Sequence, residues 1–364
     1  MIKRKKICLV YTGGTIGMVG AINENGERVL RPPNDPSEFL SFLKIGDEIE
    51  DIVDLSFHVL FNKDSTNVIP SDWTEIAQFI YDKREEFDGF VVSHGTDTMH
   101  FSSSALSFAF GKELNFPIVF TGAQTTPDVS HGDARINILR AIKVACEDIA
   151  EVVLSFGDYV FRGSRVQKKD EKRFDAFESP AEFPVGYITE DILIGNTIKK
   201  IDPNKNKDIK NFQPYFDDGI VQFSLIPGLK PDLLFPILKN NNCKGIVIQS
   251  FGSGNVPNID VYSFQDFIKK ATELNKPVII TSQFPANSTL DSHYEPGIDA
   301  IKAGAITTGN MTNAAATVKF RWILHIINKK IKNSEVDKID MVREIAKLMN
   351  DSYINEVTTN TKRV

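Results

Sequence analysis

Four short strings in this 364-residue sequence carry side chains that could activate a hydroxyl or bind a zwitterion. The first is Tyr11-Thr12-Gly13-Gly14-Thr15-Ile16-Gly17, where two glycines let the backbone turn sharply and set a threonine hydroxyl just past the turn. Next come Asp64-Ser65-Thr66-Asn67, with exposed carboxylate, hydroxyl and amide groups suited to gripping a zwitterion, and Ser93-His94-Gly95-Thr96-Asp97-Thr98-Met99, with a hydroxyl beside a carboxylate. A carboxylate there can orient the hydroxyl or meet an amino group. The fourth is Arg162-Gly163-Ser164-Arg165-Val166-Gln167-Lys168, followed by Phe174-Asp175-Ala176-Phe177. A lysine brought beside Thr96 and Asp97 and partly desolvated could lower a hydroxyl pKa or accept its proton. Each string also has a plain structural reading. The glycine turn could be a phosphate loop or a simple strand–helix turn, although it is neither a G-x-G-x-x-G fingerprint nor a P-loop. Thr96-Asp97 could be a helix cap, the Asp64 segment a capping loop, His94 a ring packed in its turn, and Lys168 one of 42 basic residues at the surface.

The elements that position these strings follow from the apolar pattern. Ile7–Tyr11, Gly89–Ser93, Phe116–Thr121 and Glu151–Phe156 are continuous apolar runs, as expected of strands covered on both faces. Between them, helical patterns span Ser71–Phe87, Ser102–Phe110 and Arg135–Ala150; Ser71 and Thr74-Glu75 read as the start of the first. The alternation predicts a mostly parallel sheet whose chemistry sits at the strands' carboxyl ends. An Asn-, Asp-, Lys- and Pro-rich stretch, Ile201–Gly219, breaks the rhythm. Beyond it Gly245–Ser250 and Pro277–Ser282 read as strands, Val261–Leu274 as a helix and Asn313–Met349 as a mostly helical tail. The expectation is two doubly wound α/β domains, a larger N-terminal one over 1–204 and a smaller C-terminal one over 219–364, joined by a linker at 205–218.

Composition narrows the function classes. Apolar residues make up 41% and charged residues 25%, ordinary for a globular protein. A formal charge of −6 gives no support for nucleic-acid binding, and the basic Lys3–Lys6 cluster reads as a solvated lead-in to a strand. No apolar run is long enough to span a membrane, and the N-terminus lacks a signal-peptide pattern, so a cytoplasmic location is expected. Cys8, Cys146 and Cys243 are odd in number and far apart, as for free thiols in a reducing compartment. The histidines form no metal-ligand spacing, so neither a metal nor a cofactor is expected.

Taken together, TGGTIG near the start, DS about fifty residues on, HGTDTM, and RGSRVQK with FDAF resemble the bacterial L-asparaginase family, nearest its cytoplasmic type I branch. SALSF at Ser104–Phe108, TGAQ at Thr121–Gln124 and FGSGN at Phe251–Asn255 extend the likeness over most of the chain. The resemblance implies hydrolysis of L-asparagine to L-aspartate and ammonia through an acyl-enzyme, with Thr15 as nucleophile. It implies that Thr96 positions or activates water, with Asp97 and Lys168 setting its proton affinity. Asp64, Ser65 and Thr66 match the substrate-binding loop, and Thr96 and Asp97 also face the substrate, Asp97 meeting its ammonium. Backbone N–H groups near Thr15, Thr96 and Ala123 are the implied oxyanion donors. Asn255 matches a position that reaches a neighbouring subunit's site, which implies a homodimer or homotetramer. The alternatives are an ammonia-supplying subunit of a tRNA-dependent amidotransferase and a weakly active binding or sensor protein. Such amidotransferase subunits carry an additional N-terminal domain, whereas this chain enters TGGTIG within about twelve residues.

Two departures from the family pattern bear on activity and regulation. Family members often carry a Tyr in the mobile loop after TGGTI; here Val19–Pro36 has none, leaving Glu27 or Arg28 as substitutes. The type I branch can carry an asparagine effector site, but its Thr, Arg and Cys correspond here to Gln167, Gln249 and Phe284. A neutral amide cannot reproduce a bidentate arginine–carboxylate grip, and losing a charged partner costs about 1.5–3 kcal/mol. Saturation with L-asparagine should therefore be hyperbolic over a wide concentration range. A sigmoidal curve made hyperbolic by mutations beside Gln167 would show that an effector site survives.

Overall fold

The computed structural model describes residues 4–31, 36–43, 45–284, 294–334, 337 and 341–358. Lys3, part of the segment after TGGTI (32–35) and part of the helical tail (335, 336 and 338–340) fall outside it, as does the Arg28 side chain. The chain divides into two compact units, one ending at Pro214 and one beginning at Tyr215.

In the first unit, strand β1 (Lys5–Gly13) is buried from Ile7 onward and pairs in parallel with both β2 (Val53–Lys63) and β3 (Gly89–Ser93). Helix α1 (Pro70–Lys83) connects β2 to β3. It starts one residue before the expected Ser71, because Pro70 suits the first helical position and the Asp72 carboxylate accepts the Ile69 N–H at 2.9 Å. Helix α2 (Met99–Phe110) leads to β4 (Ile118–Thr121), and α3 (Ala134–Val144) to β5 (Val152–Phe156). Strands β3, β4 and β5 are parallel neighbours. Helix α3 ends six residues short of the expected Ala150. The chain there turns through Cys146 N to Lys143 O and Glu147 N to Val144 O bonds, and Asp148 accepts the Ile201 N–H instead.

Strands β6 (Tyr159–Arg162), β7 (Gly186–Ile188) and β8 (Ile192–Ile194) add antiparallel partners, giving the order β8-β7-β6-β5-β4-β3-β1-β2. Sequence reading missed these short strands and β2. The eleven-residue β2 is an edge strand with mixed exposure, so it lacks the continuous apolar run of its neighbours. After TGGTI, Val19–Ile22 and Arg28–Arg31 form an antiparallel hairpin.

Helix α2 is buried almost throughout, although four of its residues are serines. Ser103 and Ser104 donate to the Gly163 carbonyl at 2.9 and 3.1 Å, and Ser107 donates to Ser103 O at 2.7 Å. Back-bonding of this kind lets small polar side chains enter a core satisfied.

The second unit holds a four-stranded parallel sheet in the order β9 (Ile220–Ser224), β10 (Gly245–Ser250), β11 (Val278–Ser282) and β12 (Ile306–Thr307). Helix α4 (Gln265–Glu273) starts later than expected, because Asp260–Tyr262 forms a separate 3-10 turn and Ser263 accepts the Gln265 N–H. Helix α5 (Glu295–Lys302) precedes β12; the tail forms α6 (Asn313–Lys332) and α7 (Met341–Asn350).

Helix α6 carries a fully buried Lys319, whose ammonium donates to Glu356 Oε1 at 2.6 Å, Asp351 O at 2.6 Å and Met349 O at 3.0 Å. Glu356, equally buried, also accepts the Tyr353 and Ile354 N–H groups. Burial pulls the Lys319 pKa down, and Glu356 pulls against it. Removing one partner leaves an uncompensated charge in the core, so Glu356→Gln should destabilise the second unit by about 3–5 kcal/mol. The double variant Lys319→Met/Glu356→Leu should recover most of that loss. A urea titration resolving the second unit's transition tests both, and a Glu356→Gln midpoint equal to wild type would contradict the account.

Candidate active site at the carboxyl ends of the first sheet

Strand order β2-β1-β3-β4-β5 makes β1 the point where the chain's progress across the sheet reverses. The carboxyl ends of the strands at such a reversal are the usual ligand site of open α/β sheets. The strands are tied at that end: Thr12 Oγ1 donates to Ser93 O at 2.8 Å. Beyond it Gly14 has φ 81, and a Cβ on it would lie 2.5 Å from the Gly95 nitrogen. A Cβ on Gly95 would in turn lie 2.7 Å from Ser65 Oγ. Three strand-end loops thus touch at distances that only glycine permits.

Thr15 opens a single 3-10 turn, Thr15–Gly17, and is half-buried. Its hydroxyl donates to Ala123 O at 3.3 Å in the loop after β4. Among the described residues its oxygen receives no hydrogen bond, so its lone pairs are left to accept. Lys168 lies in a short antiparallel pairing of Gln167–Lys168 with Phe177–Glu178. Its ammonium donates to Thr96 Oγ1 at 2.8 Å and to Asp97 Oδ1 at 2.7 Å. The Lys168 side chain is 12% exposed and that of Asp97 56%. An ion pair open to water on one side adds little stability, so its consequence is orientation.

Asp64 caps the Ser65–Asn67 turn, accepting from Thr66 N at 2.8 Å and Thr66 Oγ1 at 2.7 Å. The backbone bond first, and then the hydroxyl bond, hold its carboxyl below the usual range. Ser65 is buried, and its carbonyl accepts from Thr98 Oγ1 at 2.7 Å. Thr15, Ala123, Thr96, Asp97, Lys168 and the Asp64–Thr66 turn therefore share one edge of the sheet. Asn255 belongs to the second unit, in the turn after β10, and its side-chain oxygen is buried without a hydrogen-bond partner.

Sequence reading missed two residues at this edge. Gln124 bridges from Thr96 to the loop after Lys168. Asp133, just before α3, accepts from the Gln124 and Thr125 N–H groups, from Thr125 Oγ1 and from Asn137. The TGAQ string marked the first of these without revealing its contacts, and nothing local marks the second. Of the two loop substitutes for tyrosine, only Glu27 has a described side chain. Glu27 accepts from Asn23 Nδ2 at 3.0 Å at the hairpin tip, and the Arg28 side chain lies outside the described residues. Of the three effector positions, Gln167 donates to Glu178, Gln249 accepts from Ser224, and Phe284 is exposed. Among the described residues no group of three or more His, Cys, Asp or Glu side chains is placed to hold a metal ion.

His94 is buried, with Nδ1 2.8 Å from Gly95 O and Nε2 2.9 Å from Ser102 Oγ. A carbonyl only accepts, so Nδ1 carries the proton and Nε2 accepts from the serine. Burial pushes its pKa down from 6.5 to about 4, so the ring is a neutral strut of its turn. Between those values the unfolded chain binds a proton that the folded chain refuses, so folding stability falls as pH drops through this window. This group alone should contribute a slope of up to about 1.4 kcal/mol per pH unit. Urea unfolding between pH 4 and 6.5 should show a shallower decline for His94→Gln than for wild type; equal slopes would mean that His94 takes up its proton in the folded state.

Comparison with known proteins accords with this geometry. Residues 6–199 match the family described as "Asparaginase, N-terminal", and residues 220–335 match "Glutaminase/Asparaginase C-terminal domain". An L-asparaginase of Thermococcus kodakarensis is 29% identical over 321 residues, covering 88% of this chain and 92% of that one. A glutamyl-tRNA(Gln) amidotransferase subunit of Methanosarcina mazei is 32% identical over 334 residues, covering 88% of this chain and 74% of its own length. Among solved structures, the thermostable L-asparaginase of Thermococcus kodakarensis superposes with a TM-score of 0.79 at 28% identity. L-asparaginase I of Vibrio cholerae gives 0.81 at 26%, and each match covers 98% of this chain and 100% of the other. With both domain patterns matched in order across most of its length, the chain belongs to the asparaginase family.

Proposed function

We propose that this protein hydrolyses L-asparagine to L-aspartate and ammonia. The observation that carries the reading is the Lys168–Thr96–Asp97 cluster, held at 2.8 and 2.7 Å on the edge where Thr15 opens its turn. Thr15 Oγ attacks the side-chain amide carbon and its proton passes to the leaving amine. Ammonia departs and leaves an ester on Thr15. Water held at the Thr96 cluster then attacks the ester and its proton passes to the Thr15 oxygen, releasing aspartate and restoring the hydroxyl. A free hydroxyl is barely ionised near neutral pH, so both steps depend on a positioned proton acceptor. The Asp64–Thr66 turn receives the α-carboxylate and α-ammonium, and Asp97 supplies a second charge to the ammonium. The motif positions support a place near the cytoplasmic type I branch, as a homodimer or homotetramer in which Asn255 completes a partner's site.

A second reading has a specific observation behind it. The amidotransferase subunits among the relatives are as similar to this chain as the L-asparaginase is. On that reading the same chemistry would supply ammonia to another protein. Ammonia release by the purified chain from free L-asparagine, assayed beside L-glutamine and D-asparagine, separates the two. Efficient turnover of a free amide favours the hydrolase. Negligible turnover of all three favours the ammonia-supplying role or a weakly active binding protein. One methylene in the pocket is worth only about 1–3 kcal/mol, so the ranking of these amides must be measured.

Thr15→Ala should abolish turnover while leaving folding and substrate binding largely intact, because it removes an interaction made in the transition state. Lys168→Met should lower kcat by about 100-fold or more with a smaller change in KM. Near-normal kcat in either variant, measured by ammonia release, would remove that residue from the mechanism.

A further inference from the structure

We infer that Gln124 is a positioning residue that sets the direction of the Thr96 hydroxyl, an inference that rests on the role given to Thr96 above. The orientation of the Gln124 amide follows from its neighbours. On one side its Nε2 faces two backbone carbonyls, Arg173 O at 3.2 Å and Asp170 O at 3.5 Å, which only accept. The nitrogen must therefore point there, which turns Oε1 toward Thr96 at 3.2 Å. Thr96 Oγ1 has one proton and two lone pairs. One lone pair accepts the Lys168 ammonium at 2.8 Å, and the proton goes to Gln124 Oε1. The second lone pair is left to accept from a water at the site. Without Gln124 the hydroxyl is free to rotate and present its proton to that water, occupying the lone pair with which the water attacks the ester on Thr15.

The amide is itself held from behind. The Gln124 backbone N–H reaches both Asp133 oxygens, at 3.1 and 3.0 Å. Thr125 N and Oγ1 reach Oδ1 at 3.0 and 2.9 Å. The Asp133 side chain is buried, and Asn137 Nδ2 donates both to it and to Gly122 O. Asp133 and Asn137 thereby hold Gly122, Gln124 and Thr125, which bracket Ala123, whose carbonyl holds Thr15. This short span thus sets the spacing between the nucleophile and the water-activating cluster, which share no direct hydrogen bond among the described residues.

The test is steady-state ammonia release by full-length Gln124→Leu and Gln124→Glu beside wild type. Gln124→Leu should lower kcat about 10- to 100-fold with KM within about threefold, since misdirected chemistry does not empty the substrate pocket. Gln124→Glu can still accept the Thr96 proton and should recover much of kcat. Its added negative charge should move the acid limb of the kcat–pH profile upward by roughly one unit, a change that a merely structural residue would not produce. An unchanged kcat in Gln124→Leu with an active wild type overturns this inference alone. So does a loss in which kcat and KM change together and the pH profile of Gln124→Glu stays in place. A wild-type chain that releases ammonia from none of the three amides overturns both this inference and the function it rests on.

Discussion

Everything at the candidate site depends on how closely three loops approach one another. A Cβ at position 14 would fall 2.5 Å from the Gly95 nitrogen, and one at position 95 would fall 2.7 Å from Ser65 Oγ. No side chain fits in those gaps, and Gly14 also adopts a φ of 81 that other residues rarely tolerate. Because Gly14 meets the Gly95 backbone and Gly95 packs on the Ser65 side chain, the hydroxyls that follow the two glycines, on Thr15 and Thr96, are brought to the same end of the sheet. A bulkier residue at either position would push the loops apart and separate the two hydroxyls before it altered either one.

The parallel core was legible because its strands are apolar without interruption. Gly89–Ser93 and Gly245–Ser250 form strands over the residues read from sequence, each being covered on both faces. Legibility failed at the edges. Strand β2 is partly exposed along its length without alternation, and the antiparallel strands β6 to β8 are only three or four residues long, so neither presents a readable period. Helix ends were misplaced where turn chemistry outweighed periodicity, as at Pro70 and after Val144.

The candidate site was legible in its motif residues and opaque in its scaffold. Thr15, Thr96, Asp97 and Lys168 stand in strings specific enough to notice, and the structure gathers them at one sheet edge. Gln124 and Asp133 have their importance in contacts across long stretches of sequence. The amide of Gln124 reaches 28 residues back to Thr96 and 49 residues forward to Arg173. No local pattern encodes such a reach. Ser103 and Ser104 of α2 pose a related difficulty, since their shared partner Gly163 lies some 60 residues away.

The Lys319–Glu356 pair constrains the order of events while the protein is being made. The two residues are 37 positions apart, with the glutamate emerging second. At ordinary synthesis rates of about 5–20 residues per second, Lys319 waits roughly 2–7 seconds for its partner. Over that interval α6 cannot seat its lysine in a closed core without stranding a charge. The sheet of the first unit draws all its strands from residues before 195, and its buried Arg162 has one partner, Glu151, already made and the other, Glu182, only 20 residues on. Translation therefore favours a course in which the first unit closes early, while the second stays open until its final residues arrive.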